Sequence, residues 1–98
     1  MTIEKEQNGA AVCLKLAGRI DTVTSPELEK EIQAVGTDID TLNLDFQQVE
    51  YISSAGLRVL LSTEKNLAPH GRLILTNVNT TVMEIFDVTG FSSILTIE

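Results

Sequence analysis

The sequence predicts a single α/β domain whose elements follow the order ββαβαβαβ, with a mixed, mostly parallel sheet of about five strands. The 98-residue chain is 43% apolar and 21% charged, a composition typical of one globular domain with one core. Some segments alternate apolar and polar residues as strands do, and others repeat apolar residues at helical spacing. After an opening pair of strands, these two kinds of segment alternate along the chain. Strands separated by helices pair in parallel through right-handed crossovers, which gives the predicted sheet.

A hairpin opens the predicted fold. Residues 3–6 and 11–17 resemble strands, and Asn8-Gly9 between them is a dipeptide typical of tight antiparallel turns. The first strand is therefore expected at an edge of the sheet, antiparallel to the second.

The first helix is predicted between Thr24 and Gly36. The segment 24–27, Thr-Ser-Pro-Glu, supplies an N-cap residue, an early-helix proline and an acidic first turn, and Gly36 supplies a stop signal. The apolar residues at helical spacing between them are Leu28, Ile32 and Val35.

The third strand is predicted at residues 41–46, where Leu42, Leu44 and Phe46 alternate with polar residues. Central strands covered on both faces are continuously apolar, whereas this strand alternates and the second strand carries Lys15. The helices are therefore expected mainly on one face of the sheet.

The second helix is predicted from about Ser54 to about Ala68, with Pro69 and Gly71 as its stop signals. Its apolar stripe consists of Leu57, Leu60, Leu61 and Leu67. This helix follows the third strand directly, so residues 51–54 form a strand-to-helix junction.

The last three elements are a strand at residues 72–76, a third helix and a strand at residues 94–97. Thr81 and Glu84 have the spacing of a capping box, which places the start of the third helix at Thr81, and Gly90 ends it.

Charge and composition exclude several classes of function. The formal net charge of −7 argues against nucleic acid and anionic membrane as partners, because both require patches of Lys and Arg. No apolar run has the length of a membrane span and no signal peptide is recognisable, so a cytoplasmic protein is expected. With Cys13 and His70 as the single residues of their types, neither a disulfide nor a zinc site is expected, and Cys13 is interpreted as a small buried hydrophobic residue.

The carboxyl ends of parallel strands share one edge of a sheet, and partners or ligands usually bind there. Three loops are expected at this edge, at residues 18–22, 51–54 and 76–79. Ser53 and Ser54 lie there at the start of the second helix, where free N–H groups and the helix dipole favour an anion such as a serine phosphate. Ser53 is interpreted as the N-cap and Ser54 as the phosphate acceptor; the alternative is that these serines only cap the helix.

Catalysis is not predicted, and no catalytic residue, cofactor or metal is assigned. A nucleophile elbow requires glycine two residues before the serine, where this chain has Ile52, and His70 lies at the far end of the second helix. Asp45 and Glu50 are interpreted as residues of a solvated strand end and loop. Asp21 is left with two readings: local hydrogen bonding in its loop, or a charge that interacts with Ser54.

Residues 16–21, 49–61 and 85–91 together resemble the STAS domain, specifically the bacterial anti-sigma factor antagonists, and the resemblance covers essentially the whole chain. It implies a single STAS domain over residues 1–98. In that family a serine at the start of the second helix is phosphorylated by an anti-sigma factor that is also a serine kinase, and a metal-dependent serine phosphatase reverses the reaction. Alignment on Gly56-Leu57 implies that the acceptor is Ser54, and Asp21 matches the neighbouring acidic residue.

The resemblance also implies the mechanism. Unmodified protein would bind the kinase and free its sigma factor, and phosphorylation of Ser54 would block that binding; ATP and magnesium belong to the kinase.

The implied protein-binding residues are Asp21, Ser53, Ser54, Gly56 and Arg58. A bulky side chain at Gly56 is expected to obstruct the partner. In many members aspartate stands at the position of Ser53 and a second hydroxyl residue at that of Ala55, so Ser53 remains a competing acceptor. The alternative function is a constitutive STAS scaffold or accessory subunit of a transporter or signalling complex.

Overall fold

A computed structural model describes residues 1–36, 38–67 and 70–98. The elements are β1 (Thr2–Asn8), β2 (Ala11–Ile20), α1 (Ser25–Val35), β3 (Thr41–Ile52), α2 (Ser54–Leu67), β4 (Arg72–Thr76), α3 (Thr80–Thr89) and β5 (Thr96–Ile97), with one 3₁₀ turn at Phe91–Ser93. The predicted order ββαβαβαβ is confirmed. The predicted end of the second helix at Ala68 and its stop signal Pro69 lie outside the described residues.

The strands form one mixed sheet in the order β1-β2-β3-β4-β5. β1 pairs with β2 antiparallel through a turn in which Gly9 adopts a φ of 64°, and the remaining neighbours pair in parallel. The predicted edge hairpin and parallel crossovers are therefore confirmed.

One face of the sheet is covered by the helices and the other is open. Leu14 and Leu44 point to the helical side and are fully buried, whereas Lys15 is exposed and Asn43 and Asp45 are half-buried on the opposite side. Residues from all three helices complete the same core: Leu28 of α1, Leu60 of α2 and Phe86 of α3, whose ring lies 6.2 Å from that of Phe46. The expectation of helices mainly on one face is confirmed.

β3 continues to Ile52, six residues beyond the predicted end. Its pairing with β2 shifts register between Lys15 and Ala17 and again between Gly18 and Arg19, so β3 contains irregularities that interrupt its alternation after Phe46. The strand nevertheless buries Val49 and Ile52. This extension carries the chain to the edge where α2 begins.

The start of α3 and the environment of Cys13 differ from the predictions. The N-cap of α3 is Asn79, whose side chain accepts a hydrogen bond from the N–H of Val82, so the capping box at Thr81 is wrong. Cys13 is only half-buried, because it lies on the open face of the sheet opposite Glu6. Burial, followed by the nearby carboxylates of Asp45 and Glu6, raises the pKa of its thiol.

No helix in residues 1–36, 38–67 and 70–98 is long and apolar enough to cross a membrane.

Candidate functional site

The loops after β2 and β3 are joined at one edge of the sheet. The N–H of Ser53 donates to the carbonyl of Ile20 at 2.8 Å. Just before this bond, Arg19 of β2 pairs with Tyr51 of β3, and its guanidinium lies 4.6 Å from the centre of the tyrosine ring. These contacts fix the start of α2 beside the loop that leads into α1.

Asn79 joins the third loop to the same edge. Its side-chain oxygen accepts from the N–H of Val82 at 2.8 Å, and its side-chain nitrogen donates to the carbonyl of Val49, also at 2.8 Å. One side chain therefore caps α3 and ties it to the end of β3. The predicted convergence of loops 18–22, 51–54 and 76–79 is confirmed.

Ser53 and Ser54 differ in accessibility. The carbonyl of Ser53 accepts from the N–H of Leu57 at 2.9 Å, so the backbone of Ser53 occupies the N-cap position of α2. Its hydroxyl oxygen, however, is buried and has no hydrogen-bond partner among the described residues. The expectation that the Ser53 side chain caps the helix is therefore wrong. Ser54 is the first residue of α2 and is exposed, so an external group can reach it.

The first turn of α2 suits an anion. It contains no acidic residue, and among the described residues no side chain accepts a hydrogen bond from its N–H groups. The first N–H groups of a helix have no partner within the helix, and they lie at the positive end of its dipole. A negatively charged group on Ser54 would therefore be stabilised by this end of the helix.

Asp21 is engaged within its own loop. One carboxylate oxygen accepts from the N–H groups of Val23 and Thr24, each at 3.0 Å, and the other lies 4.0 Å from Nε of Arg19. The hydrogen bond from the Thr24 backbone is the main cause that lowers the pKa of Asp21, and burial opposes it. The local hydrogen-bonding reading is thus observed. Among the described residues, no hydrogen bond joins Asp21 to Ser54.

Gly56 faces the core rather than the surface. A Cβ atom at this position would lie 2.6 Å from Cγ2 of Ile20 and 2.7 Å from Cγ1 of Ile52. The absence of a side chain lets the first turn of α2 rest directly on the ends of β2 and β3. The expected reason for the sensitivity of Gly56, obstruction of a partner, is replaced by close packing inside the protein.

Arg58 lies one helical turn after Ser54 on α2 and is exposed. Two salt bridges are present within the described ranges, Lys15 with Glu6 and Arg19 with Asp21, and neither involves Arg58. The structure therefore places Ser54 and Arg58 on one accessible side of the helix.

The residues considered for catalysis are dispersed. His70 lies just before β4, whose start belongs to the opposite edge of the sheet. Asp45 on the open face accepts from the N–H of Gln47 and from the side chain of Asn77, which gives it a structural role, and Glu50 is exposed. Across the ranges 1–36, 38–67 and 70–98, no group of three or more His, Cys, Asp or Glu side chains could hold a metal ion.

Sequence reasoning missed two features of this edge. The stacking of Arg19 on Tyr51 depends on strand register, which periodicity alone does not give. Val23, in the loop after β2, is 84% exposed, and its position in a polar loop was the available signal. Arginine and tyrosine are enriched in protein interfaces, so the stacked Arg19 and Tyr51 are the feature of this edge that suits a protein partner.

Comparisons with known proteins match nearly the whole chain to one protein family. A family model described as the STAS domain matches residues 2–98. BtrV of Bordetella bronchiseptica, a candidate anti-sigma factor antagonist, is 35% identical over 96 residues, which cover 96% of this chain and 81% of BtrV. The anti-sigma-B factor antagonist of Bacillus subtilis is 28% identical over 98 residues, covering 99% of this chain and 90% of that protein.

A solved structure agrees with these matches. The crystal structure of an anti-sigma factor antagonist from Mycobacterium paratuberculosis superposes with a TM-score of 0.88 and 27% identity, covering 98% of this chain and 83% of that one. The five-stranded sheet, the strand-to-helix junction at Ser53-Ser54 and the match over nearly the whole chain lead to one conclusion: the chain belongs to the STAS domain family.

Proposed function

We propose that this protein is an anti-sigma factor antagonist that acts as a non-enzymatic binding switch controlled by phosphorylation of Ser54. The unmodified protein binds an anti-sigma factor that is also a serine kinase, and the bound kinase releases its sigma factor. Phosphorylation of Ser54 prevents this binding, and a metal-dependent serine phosphatase restores it. The protein works in the cytoplasm, without nucleic acid or membrane as partners. The kinase brings its own ATP and magnesium.

The accessibility of the two serines carries this proposal. Ser54 is exposed at the first position of α2, whereas the hydroxyl oxygen of Ser53 is buried. A kinase must align the acceptor hydroxyl with the γ-phosphate of ATP, so the acceptor must be reachable from solution. This difference favours Ser54 over Ser53.

The surroundings of Ser54 explain how one site serves both the kinase and the switch. Arg19 and Tyr51 lie beside the start of α2, and arginine and tyrosine are residue types enriched in protein interfaces. A phosphate on Ser54 is accepted by the free protein, because it lies at the positive end of a helix. In a complex the same phosphate would be enclosed by the partner's surface, and its desolvation would oppose docking.

The proposal is tested by phosphorylation with purified serine-kinase anti-sigma factors from the same genome, ATP and magnesium. Mass spectrometry should find one phosphate on Ser54. Ser54→Ala should abolish incorporation and retain kinase binding, whereas Ser53→Ala should accept phosphate at the normal rate. Phosphate on Ser53 would overturn the assignment. Absence of both binding and phosphorylation with every such kinase would favour a constitutive scaffold.

A further inference from the structure

Arg58 is an exposed cation without an ion-pair partner among the described residues. On a helix, side chains three and four residues apart are neighbours. For Arg58 these neighbours are Ser54, Ala55, Leu61 and Ser62, none of which is acidic. The guanidinium is therefore available to an anion introduced next to it.

Ser54, the proposed phosphate acceptor, lies one helical turn before Arg58. Cβ atoms at i and i+4 are about 5–6 Å apart, and an anion N-terminal to a cation is the favourable orientation. Arginine presents a planar set of N–H donors that matches two phosphate oxygens at once. A phosphate on Ser54 would thus lie within reach of Arg58.

Other charged groups at this edge are less suited to the role. Arg19 lies 4.0 Å from the Asp21 carboxylate and over the ring of Tyr51, so its charge already has partners. Asp21 in the loop after β2 and Glu50 near the end of β3 are acidic and would repel a phosphate. Arg58 is the cation of α2 next to the acceptor.

We propose that Arg58 holds the phosphate of phosphorylated Ser54 in an ion pair along α2. This inference rests on the proposed function, in which Ser54 is the acceptor. The pair orders the phosphate over the first turn of the helix and occupies Arg58 in the modified state. Because an ion pair must also be desolvated on docking, the pair is compatible with a phosphate that weakens partner binding.

The test uses phosphoserine installed at position 54 during translation by codon reassignment, so no kinase is needed. The second ionisation of the phosphate is followed by ³¹P NMR in the full-length protein and in Arg58→Gln. An ion pair of this kind is worth about 0.3–0.5 kcal/mol, so loss of Arg58 should raise the titration midpoint by about 0.2–0.4 pH unit.

Lys65→Gln is the matched control. It removes the same positive charge from the last turn of the same helix. Lys65 lies about 16 Å from Ser54 along the helix axis, which is beyond the screening length at 0.15 M salt. Its midpoint should equal that of the unsubstituted protein. Arg19→Gln tests the other nearby guanidinium and should move the midpoint less than Arg58→Gln does.

Three results would overturn the ion pair: an unchanged midpoint in Arg58→Gln, equal shifts in Arg58→Gln and Lys65→Gln, or a larger shift in Arg19→Gln. Thermal unfolding of the unmodified variants should match that of the parent, because Arg58 and Lys65 are exposed. A failed ion pair would leave the kinase assay on Ser54 unaffected, so the two proposals fail separately.

Discussion

The N–H of Ser53 donates to the carbonyl of Ile20 at 2.8 Å, and this bond holds the start of α2 beside the end of β2. It positions Asp21 and Ser54 at the same edge of the sheet, each one residue beyond the bonded pair. A backbone hydrogen bond therefore brings the proposed acceptor and the loop of Asp21 to one edge of the sheet.

Gly56→Val should destabilise the protein by about 1–3 kcal/mol, the usual cost of overpacking a core. The added atoms would collide with Ile20 and Ile52, whose side chains lie 2.6 and 2.7 Å from the position that a Cβ atom would take. Urea unfolding gives the free energy. Ser62→Val, an exposed site on the same helix, is the matched control for β-branching and should cost less than about 1 kcal/mol. Similar losses for the two variants would contradict the packing role of Gly56.

Ser53→Ala should leave the free energy of unfolding unchanged or slightly increased. The hydroxyl of Ser53 is buried without a partner among the described residues, so its removal relieves an unsatisfied polar atom. A serine that capped α2 through its side chain would instead cost about 1 kcal/mol on replacement by alanine. A loss of that size in urea unfolding would show that the hydroxyl caps the helix in solution.

Asp21 should contribute a pH-dependent part of the stability. Hydrogen bonds from Thr24 and Val23 lower the pKa of its carboxyl in the folded state, so the unfolded chain binds the proton more readily. This stabilisation is fully present above about pH 4 and is lost as the pH falls through the folded-state pKa. Asp21→Asn retains an acceptor oxygen and removes the charge.

The parent protein should exceed Asp21→Asn in urea midpoint at pH 7, and the difference should shrink on acidification below about pH 4. Asp38→Asn, exposed before β3, controls for the loss of one negative charge. Parallel stability profiles for the parent and Asp21→Asn would contradict the assigned hydrogen bonds.

Asp21→Asn should also slow phosphorylation of Ser54 more than Asp40→Asn does. Asp21 fixes the loop beside the acceptor, whereas the N–H of Asp40 bonds to the carbonyl of Ala10 near the opposite edge. Weakening the charge-assisted hydrogen bonds that hold this loop should lower the initial rate severalfold. Initial rates with the same kinase check this, and equal rates for the two variants would refute a special role for Asp21.

Periodicity was sufficient to predict the order of elements and the covered face of the sheet. Leu42, Leu44 and Phe46 define a strand face directly, and Gly90 ends α3 with a left-handed φ of 81°, as its sequence indicates. The extension of β3 to Ile52 was not predictable in this way, because the register shifts opposite β2 interrupt the alternation. A bulge breaks the alternation of apolar and polar residues, so the length of a bulged strand cannot be predicted from that alternation.

The candidate site was predicted in position but not in detail. Loop convergence follows from parallel topology, so Ser54 and Asp21 were expected at one edge. The buried hydroxyl of Ser53 and the double role of Asn79 depend on tertiary contacts that local sequence rules do not contain. The sensitivity of Gly56 stays a prediction, but the structure gives it a different cause, the close approach of Ile20 and Ile52 beneath it.

The central claim is that a phosphate on Ser54 turns partner binding off. The phosphate carries about −1.5 to −2 charges, so a single arginine such as Arg58 does not neutralise it fully. Burial of uncompensated charge costs on the order of 3–5 kcal/mol, whereas a rim ion pair returns about 1 kcal/mol or less. Titration calorimetry should compare unmodified and Ser54-phosphorylated protein against the purified serine-kinase anti-sigma factor. We expect phosphorylation to raise the dissociation constant of the complex by about two to four orders of magnitude. Equal or tighter binding by the phosphorylated form would mean that the phosphate is a docking group, and it would contradict the switch.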